Sequence, residues 1–115
     1  MKKGVIIVYN SKTLYGNAFL EAEDLAETDI DYLVELEYYR TNYVKEDSTI
    51  YGVEIVKKEH LTEETKIESK TGNIFTKNER KVKAVLEELR NGKVTPKGLA
   101  DTLKNIVYTN QEIVG

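Results

Sequence analysis

Tyr32-Leu33-Val34-Glu35-Leu36-Glu37-Tyr38-Tyr39-Arg40 is the stretch that decides the architecture. Leu33, Glu35, Glu37 and Tyr39 fall on one side of an extended chain, and Tyr32, Val34, Leu36 and Tyr38 fall on the other. That period-two alternation is the pattern of a half-buried strand. Ile50 to Lys57 resumes it, with Tyr51, Val53 and Ile55 on one face and Val56 beginning the other. The intervening Lys45-Glu46-Asp47-Ser48 is a polar turn, so strands near 32–40 and 50–57 are expected to pair as an antiparallel hairpin. Gly52, inside the second strand, predicts a bulge or a close backbone approach.

Working toward the C-terminus, Thr65 to Thr71 reads as a third, more exposed strand closed by Gly72-Asn73. Thr76-Lys77-Asn78-Glu79 has the spacing of a capping box, in which two side chains each satisfy the other's free backbone N–H. Val82, Val85, Leu86 and Leu89 follow at helical spacing, and Asn91-Gly92 is the expected stop. Thr95-Pro96 opens a second helix, with Pro where its missing donor costs nothing, and Leu99, Leu103, Ile106 and Val107 form its stripe. Toward the N-terminus, Val5 to Tyr9 reads as a β-branched strand near 4–10 ended by Asn10-Ser11-Lys12. Asn17 to Glu27 reads as a short helix capped by Asn17. The expectation is a single α+β domain over 1–115. Its small, mainly antiparallel sheet (strands near 4–10, 32–40, 50–57 and 65–71) is packed by a C-terminal αα-hairpin (77–90, 95–108), and 109–115 is a tail.

A chain of 115 residues has room for one core. It is 40% apolar and 32% charged, with eight Tyr, two Phe and no Trp. A net charge of −3 weighs against a general nucleic-acid binder, although the sign is uneven along the chain. Residues 1–76 hold nine Lys/Arg against fifteen Asp/Glu, and residues 77–115 hold eight against five. The absence of cysteine excludes disulfides, thiolate nucleophiles and cysteine-ligated metals. The apolar run after Met1-Lys2-Lys3 ends at Tyr9, short for an export segment, and no run approaches membrane-spanning length. The cytoplasm is the expected compartment, with no membrane partner.

The residues that carry chemistry elsewhere are few here. Ser11-Lys12-Thr13 with Gly16-Asn17 is similar to the phosphate loop of flavodoxins, in which hydroxyls and loop amides cradle the flavin phosphate. Leu14 and Tyr15 interrupt that register, and the consecutive strands over 32–76 do not suit a wound α/β fold. A small-ligand or flavin site on the 11–17 loop is therefore a secondary reading, and no cofactor is expected. Glu21, Glu23, Asp24, Glu27, Asp29 and Asp31 lack the frame of a calcium loop and read as a solvated acidic face. His60, the one histidine, has no cysteine to share a zinc site and no nucleophile marked beside it. No catalytic or metal residue is assigned. The helix pair, with Lys97, Lys104 and Asn105, is a further alternative for weak nucleic-acid contact. Tyr38, Tyr39, Tyr43 and Tyr51 cluster across the hairpin, where outward tyrosines beside a strand edge would suit protein docking.

Tyr51-Gly52-Val53-Glu54-Ile55, the charged helix through Leu89, Val94-Thr95-Pro96 and Leu99-Ala100-Asp101 together resemble a family of short bacterial proteins. That family is found chiefly in Gram-positive anaerobes and known only as a domain of unknown function. The resemblance covers about residues 32–108. It implies a small cytoplasmic protein and transfers no functional residue. The expectation drawn from the chain as a whole is a non-enzymatic interaction or regulatory module, its partner another protein or a second copy of itself.

Overall fold

A computed structural model describes residues 8–21, 32–45, 48–72 and 76–109. Four strands, β1 (Val8–Phe19), β2 (Leu33–Lys45), β3 (Ser48–His60) and β4 (Thr65–Thr71), form one antiparallel sheet in the order β1-β2-β3-β4. Helix α1 (Glu79–Asn91), a 3-10 turn (Pro96–Gly98) and helix α2 (Leu99–Thr109) complete the chain. The protein is therefore α+β, with each strand paired to its neighbour in sequence and two helices on one side.

The β2–β3 hairpin is the centre of the sheet. Its register runs without interruption from Leu33↔His60 through Tyr38↔Ile55 to Lys45↔Ser48, so only Glu46 and Asp47 lie between the strands. Both strands exceed the expected 32–40 and 50–57, because Thr41, Asn42, Tyr43 and Val44 continue to find partners. Alternation sorts the two faces as expected. Val34, Leu36, Tyr38, Val53 and Ile55 are completely buried on the helix side. Each such aliphatic side chain contributes about 1.5–3 kcal/mol through removal from water. Gly52 pairs with Thr41 in regular register, so of the two expectations for it, a bulge or a close backbone approach, the bulge is not formed.

The bulge falls in β1 instead. Leu14 pairs with Tyr39 and Gly16 with Tyr38, which leaves Tyr15 as the extra residue. A one-residue slip exchanges the faces of every following side chain. This one turns Ala18 and Leu20 toward the helices, where with Tyr15 they pack against the core. β1 also corrects two expectations. The strand does not end at Asn10-Ser11-Lys12, and Asn17 to Phe19 is not the start of a helix. Asn10 to Phe19 pairs with β2 along its length, interrupted only by the bulge at Tyr15. Residues 4–7 of the expected first strand, 22–27 of the expected helix and the tail from 110 lie outside the described residues, as does the side chain of Val107.

α1 buries Val82, Val85, Leu86 and Leu89, a stripe at the spacing read from the sequence. Its cap is Asn78 rather than Thr76: Asn78 Oδ1 accepts from the Arg80 and Lys81 N–H groups at 3.0 and 3.2 Å. The capping box does not form because Thr76 is engaged by the sheet. Its N–H and C=O pair with Tyr51, and its Oγ1 accepts from the Asn78 N–H at 3.0 Å. At the other end, Gly92 keeps a right-handed conformation, and Lys93 (φ 50°) takes the left-handed position. Val94 N–H donates to Leu89 and Lys93 N–H to Arg90, the paired bonds of a Schellman stop with lysine where glycine is usual. Leu99, Leu103 and Ile106 then close the interior from α2, after Pro96 at the start of the 3-10 turn.

Candidate functional site

Among the described residues helices cover one side of the sheet, and the other side is built from the alternate residues. In register across β1-β2-β3-β4, Phe19, Glu35, Lys58 and Ile67 form one row, and Leu14, Tyr39, Glu54 and Thr71 form another. Leu33 and His60 lie at the hairpin's open end. Among the described residues, the large apolar side chains left exposed are Leu14, Phe19, Leu33 and Ile67. All four sit on this open face. Ile67 and Leu33 are 64% and 52% accessible, far above any residue on the helix side of the hairpin.

The polar groups between them are largely paired with one another. Lys58 Nζ reaches Glu37 at 3.2 Å, His60 Nε2 lies 3.3 Å from Glu35, and Lys12 Nζ lies 3.6 Å from Glu54. Lys12 also sits over the Tyr39 ring, 4.4 Å from its centre, and Asn17 donates to Glu35 at 3.2 Å. Three carboxylates thus meet two lysines and one histidine. Thr41, in register between Lys12 and Gly52, is buried, and its Oγ1 has no partner among the described residues.

The four tyrosines of the hairpin divide between the faces. Tyr38 belongs to the core: it is fully buried, and its hydroxyl donates to the Val94 carbonyl at 2.9 Å. Burial, slightly offset by the Arg90 charge, drives its pKa well above the ordinary phenol value. Tyr51, half-buried, is on the helix side, where the Arg40 guanidinium lies 4.9 Å from its ring centre. Tyr39 and Tyr43 are on the open face, both half-buried. Tyr39 donates to Glu37 at 2.8 Å. Burial first, then that bond and the charges of Glu37, Glu54 and Glu35, push its pKa up to about 12.

A second concavity lies where the β1 bulge meets α1. It has a volume of about 390 Å³ and is lined by Thr13, Leu14 and Tyr15 from β1, Arg40 from β2, and Arg80, Lys83 and their neighbours on α1. The bulge brings the Tyr15 hydroxyl to Glu87, to which it donates. That bond raises the tyrosine's pKa, with burial and the Glu87 charge adding to it, and lowers the carboxylate's. Arg90 crosses over Gly16 and donates to the Asn17 carbonyl at 3.2 Å, which ties the helix to the bulged strand. Sequence reasoning missed this cavity because its walls come from three separated segments. The one local signal was the Gly16-Asn17 pair after a polar stretch.

The remaining sequence candidates have plain locations. Ser11 to Asn17 is a strand, not a loop. Its Ser11 and Thr13 hydroxyls accept from Asn42 Nδ2 at 3.3 Å each. Glu23, Asp24, Glu27, Asp29 and Asp31 lie outside the described residues. Among the described residues no group of three His, Asp or Glu side chains is placed to hold a metal ion. Lys97, Lys104 and Asn105 are exposed on the second helical segment. No helix among the described residues is long and apolar enough to cross a membrane.

Searches of curated proteins and of solved structures find no match to the chain. A family model does match, over residues 11–108, so the match reaches back through most of β1, beyond the segment that first suggested a relationship. The chain belongs to this family, described as a family of unknown function (DUF6514).

Proposed function

We propose that the protein is a non-enzymatic association module whose open sheet face receives a protein partner, and that the partner this face fits best is a second copy of the chain. The observation that carries the reading is the segregation of Leu14, Phe19, Leu33 and Ile67 onto the side of the sheet that no described helix covers. Exposed apolar side chains gathered on one sheet face, with paired polar groups between them, are suited to an interaction surface. The argument for a second copy is electrostatic. The whole chain carries −3, so two copies repel over most orientations. On the open face Glu37 and Glu54 are matched by Lys58 and Lys12, and Glu35 lies beside His60, so two copies meet there at a lower electrostatic cost than elsewhere. Tyr39 and Tyr43 add aromatic area of the kind enriched at interface centres. The setting proposed with this role is the cytoplasm of a Gram-positive bacterium, on the sequence resemblance alone.

Sedimentation velocity across a concentration series tests the reading. A reversible dimer is expected. The double variant Leu33→Ser/Ile67→Ser should shift it to monomer, with about 1–2 kcal/mol of association lost per site. Both residues are exposed, so the thermal melt of the monomer should be preserved. A chain that stays monomeric into the millimolar range, or a dimer indifferent to both substitutions, defeats the proposal.

A further inference from the structure

The cavity between the β1 bulge and α1 has a property the open face lacks, an excess of positive charge. Arg40, Arg80 and Lys83 line it against one carboxylate, Glu79. In a protein whose overall charge is −3, this is a local reversal of sign. We propose that this cavity binds the phosphoryl group of a small phosphorylated molecule.

Three features point to that class of ligand. The first is valence. Three cations less one anion leave two positive charges, which a phosphate monoester near neutral pH balances and a carboxylate does not. The second is the preparation of Arg40. Its Nε donates to Asn42 Oδ1 at 2.8 Å, its Nη1 lies 2.5 Å from Glu79, and its central carbon lies 4.9 Å from the Tyr51 ring centre. The guanidinium is held in one orientation, and Nη2 has no partner among the described residues. A fixed guanidinium edge matches phosphate oxygens better than a mobile ammonium does. The third is size. About 390 Å³ is more than a bare phosphate needs, and Leu86 with the Tyr15 ring gives the space an apolar side for the organic part. Arg80 and Lys83 are exposed and make no close ion pair among the described residues, with Glu87 one turn on as the carboxylate that feels the Lys83 charge, so both side chains are able to close over the anion. The start of α1 adds little, because Asn78 already occupies the Arg80 and Lys81 amides.

Glu79 gives the site a distinctive signature. It is the one anion in the cavity and it already holds Arg40, so it competes with an incoming phosphate. Removing its charge should therefore improve binding while removing an ion pair.

The test is an amide chemical-shift titration of the full chain with phenyl phosphate, beside inorganic phosphate, phenylacetate and a phosphotyrosine peptide. Expected are saturable shifts centred on Thr13, Tyr15, Arg80 and Lys83, with phenyl phosphate tighter than inorganic phosphate and than phenylacetate. Arg80→Gln/Lys83→Gln should weaken binding at least about tenfold, and Glu79→Gln should tighten it roughly threefold to tenfold. Each variant's thermal melt guards against misfolding, and the exposed Arg80 and Lys83 are safe in that respect. The proposal is overturned by an absence of saturable shifts, by shifts centred elsewhere, by phenylacetate binding as well as phenyl phosphate, or by weaker binding in Glu79→Gln. A peptide binding far more tightly than phenyl phosphate would reassign the cavity to phosphoprotein recognition and also overturn it.

Discussion

Gly72→Ala separates two reasons for a glycine after β4. Read from sequence, Gly72-Asn73 is a turn signal, and a turn glycine is used for conformations other residues avoid. In the folded chain Gly72 has no positive φ, so alanine meets no backbone strain there. Its N–H donates to the Val53 carbonyl at 2.9 Å, and the residue is buried. A β-carbon at this position would stand 2.6 Å from Leu103 Cδ1 and 2.7 Å from Val53 Cγ2. Ordinary carbon contacts lie near 3.5–4.0 Å, so two core side chains must each retreat by about 1 Å. Overpacking of that degree costs about 1–3 kcal/mol, and the reduced freedom of the unfolded chain returns about 0.4–1 kcal/mol. A net loss of about 1–2 kcal/mol is expected, read as a lower midpoint in urea unfolding with an unchanged slope. Leu103→Ala relieves half of the clash, so its cost should be smaller in the Gly72→Ala background than in the wild type, a coupling a double-mutant cycle measures. A Gly72→Ala protein as stable as the parent would show that the glycine serves the turn and that the sheet and α2 are less closely packed than described.

Two other outcomes follow from particular contacts. Asn78→Ala should cost about 1 kcal/mol through loss of the α1 cap, while Glu79→Ala should not reproduce that loss, since Glu79 faces Arg40 rather than the helix start; equal losses in urea unfolding would restore the capping box. Tyr15, Tyr38 and Tyr39 all have phenol pKa values raised in the folded state, so the fold holds their protons after the unfolded chain has released them. Stability from this source is complete below about pH 10 and falls as pH climbs through the folded values, by about 1.4 kcal/mol per pH unit for each retained proton. Unfolding free energy measured between neutral and strongly alkaline pH should show this decline, and Tyr39→Phe should make it shallower; a flat profile would contradict the described burial and bonding of these hydroxyls.

Sequence alone determined the elements whose signals are local and strongly periodic. The alternation in Leu33 to Arg40, the helical spacing of Val82, Val85, Leu86 and Leu89, and Pro96 at a helix start each express one physical requirement within a few residues. Tertiary structure decided what distant partners impose. β1 is extended through Phe19 because β2 offers it a ladder, and its bulge hid the alternation that would have revealed it. Thr76 is drawn to Tyr51, which hands the cap to Asn78. The tyrosines that look like one cluster in sequence are parted by the pleat, two into the helix side and two onto the open face. Both candidate sites arise in the same way, by assembly of residues far apart in the chain. The cavity joins Thr13, Arg40 and Lys83, and the exposed apolar face joins Leu14, Leu33 and Ile67. A local pattern records which way a side chain points; which residues it then meets is settled by strand register and helix docking, whose energies come from contacts across the whole chain.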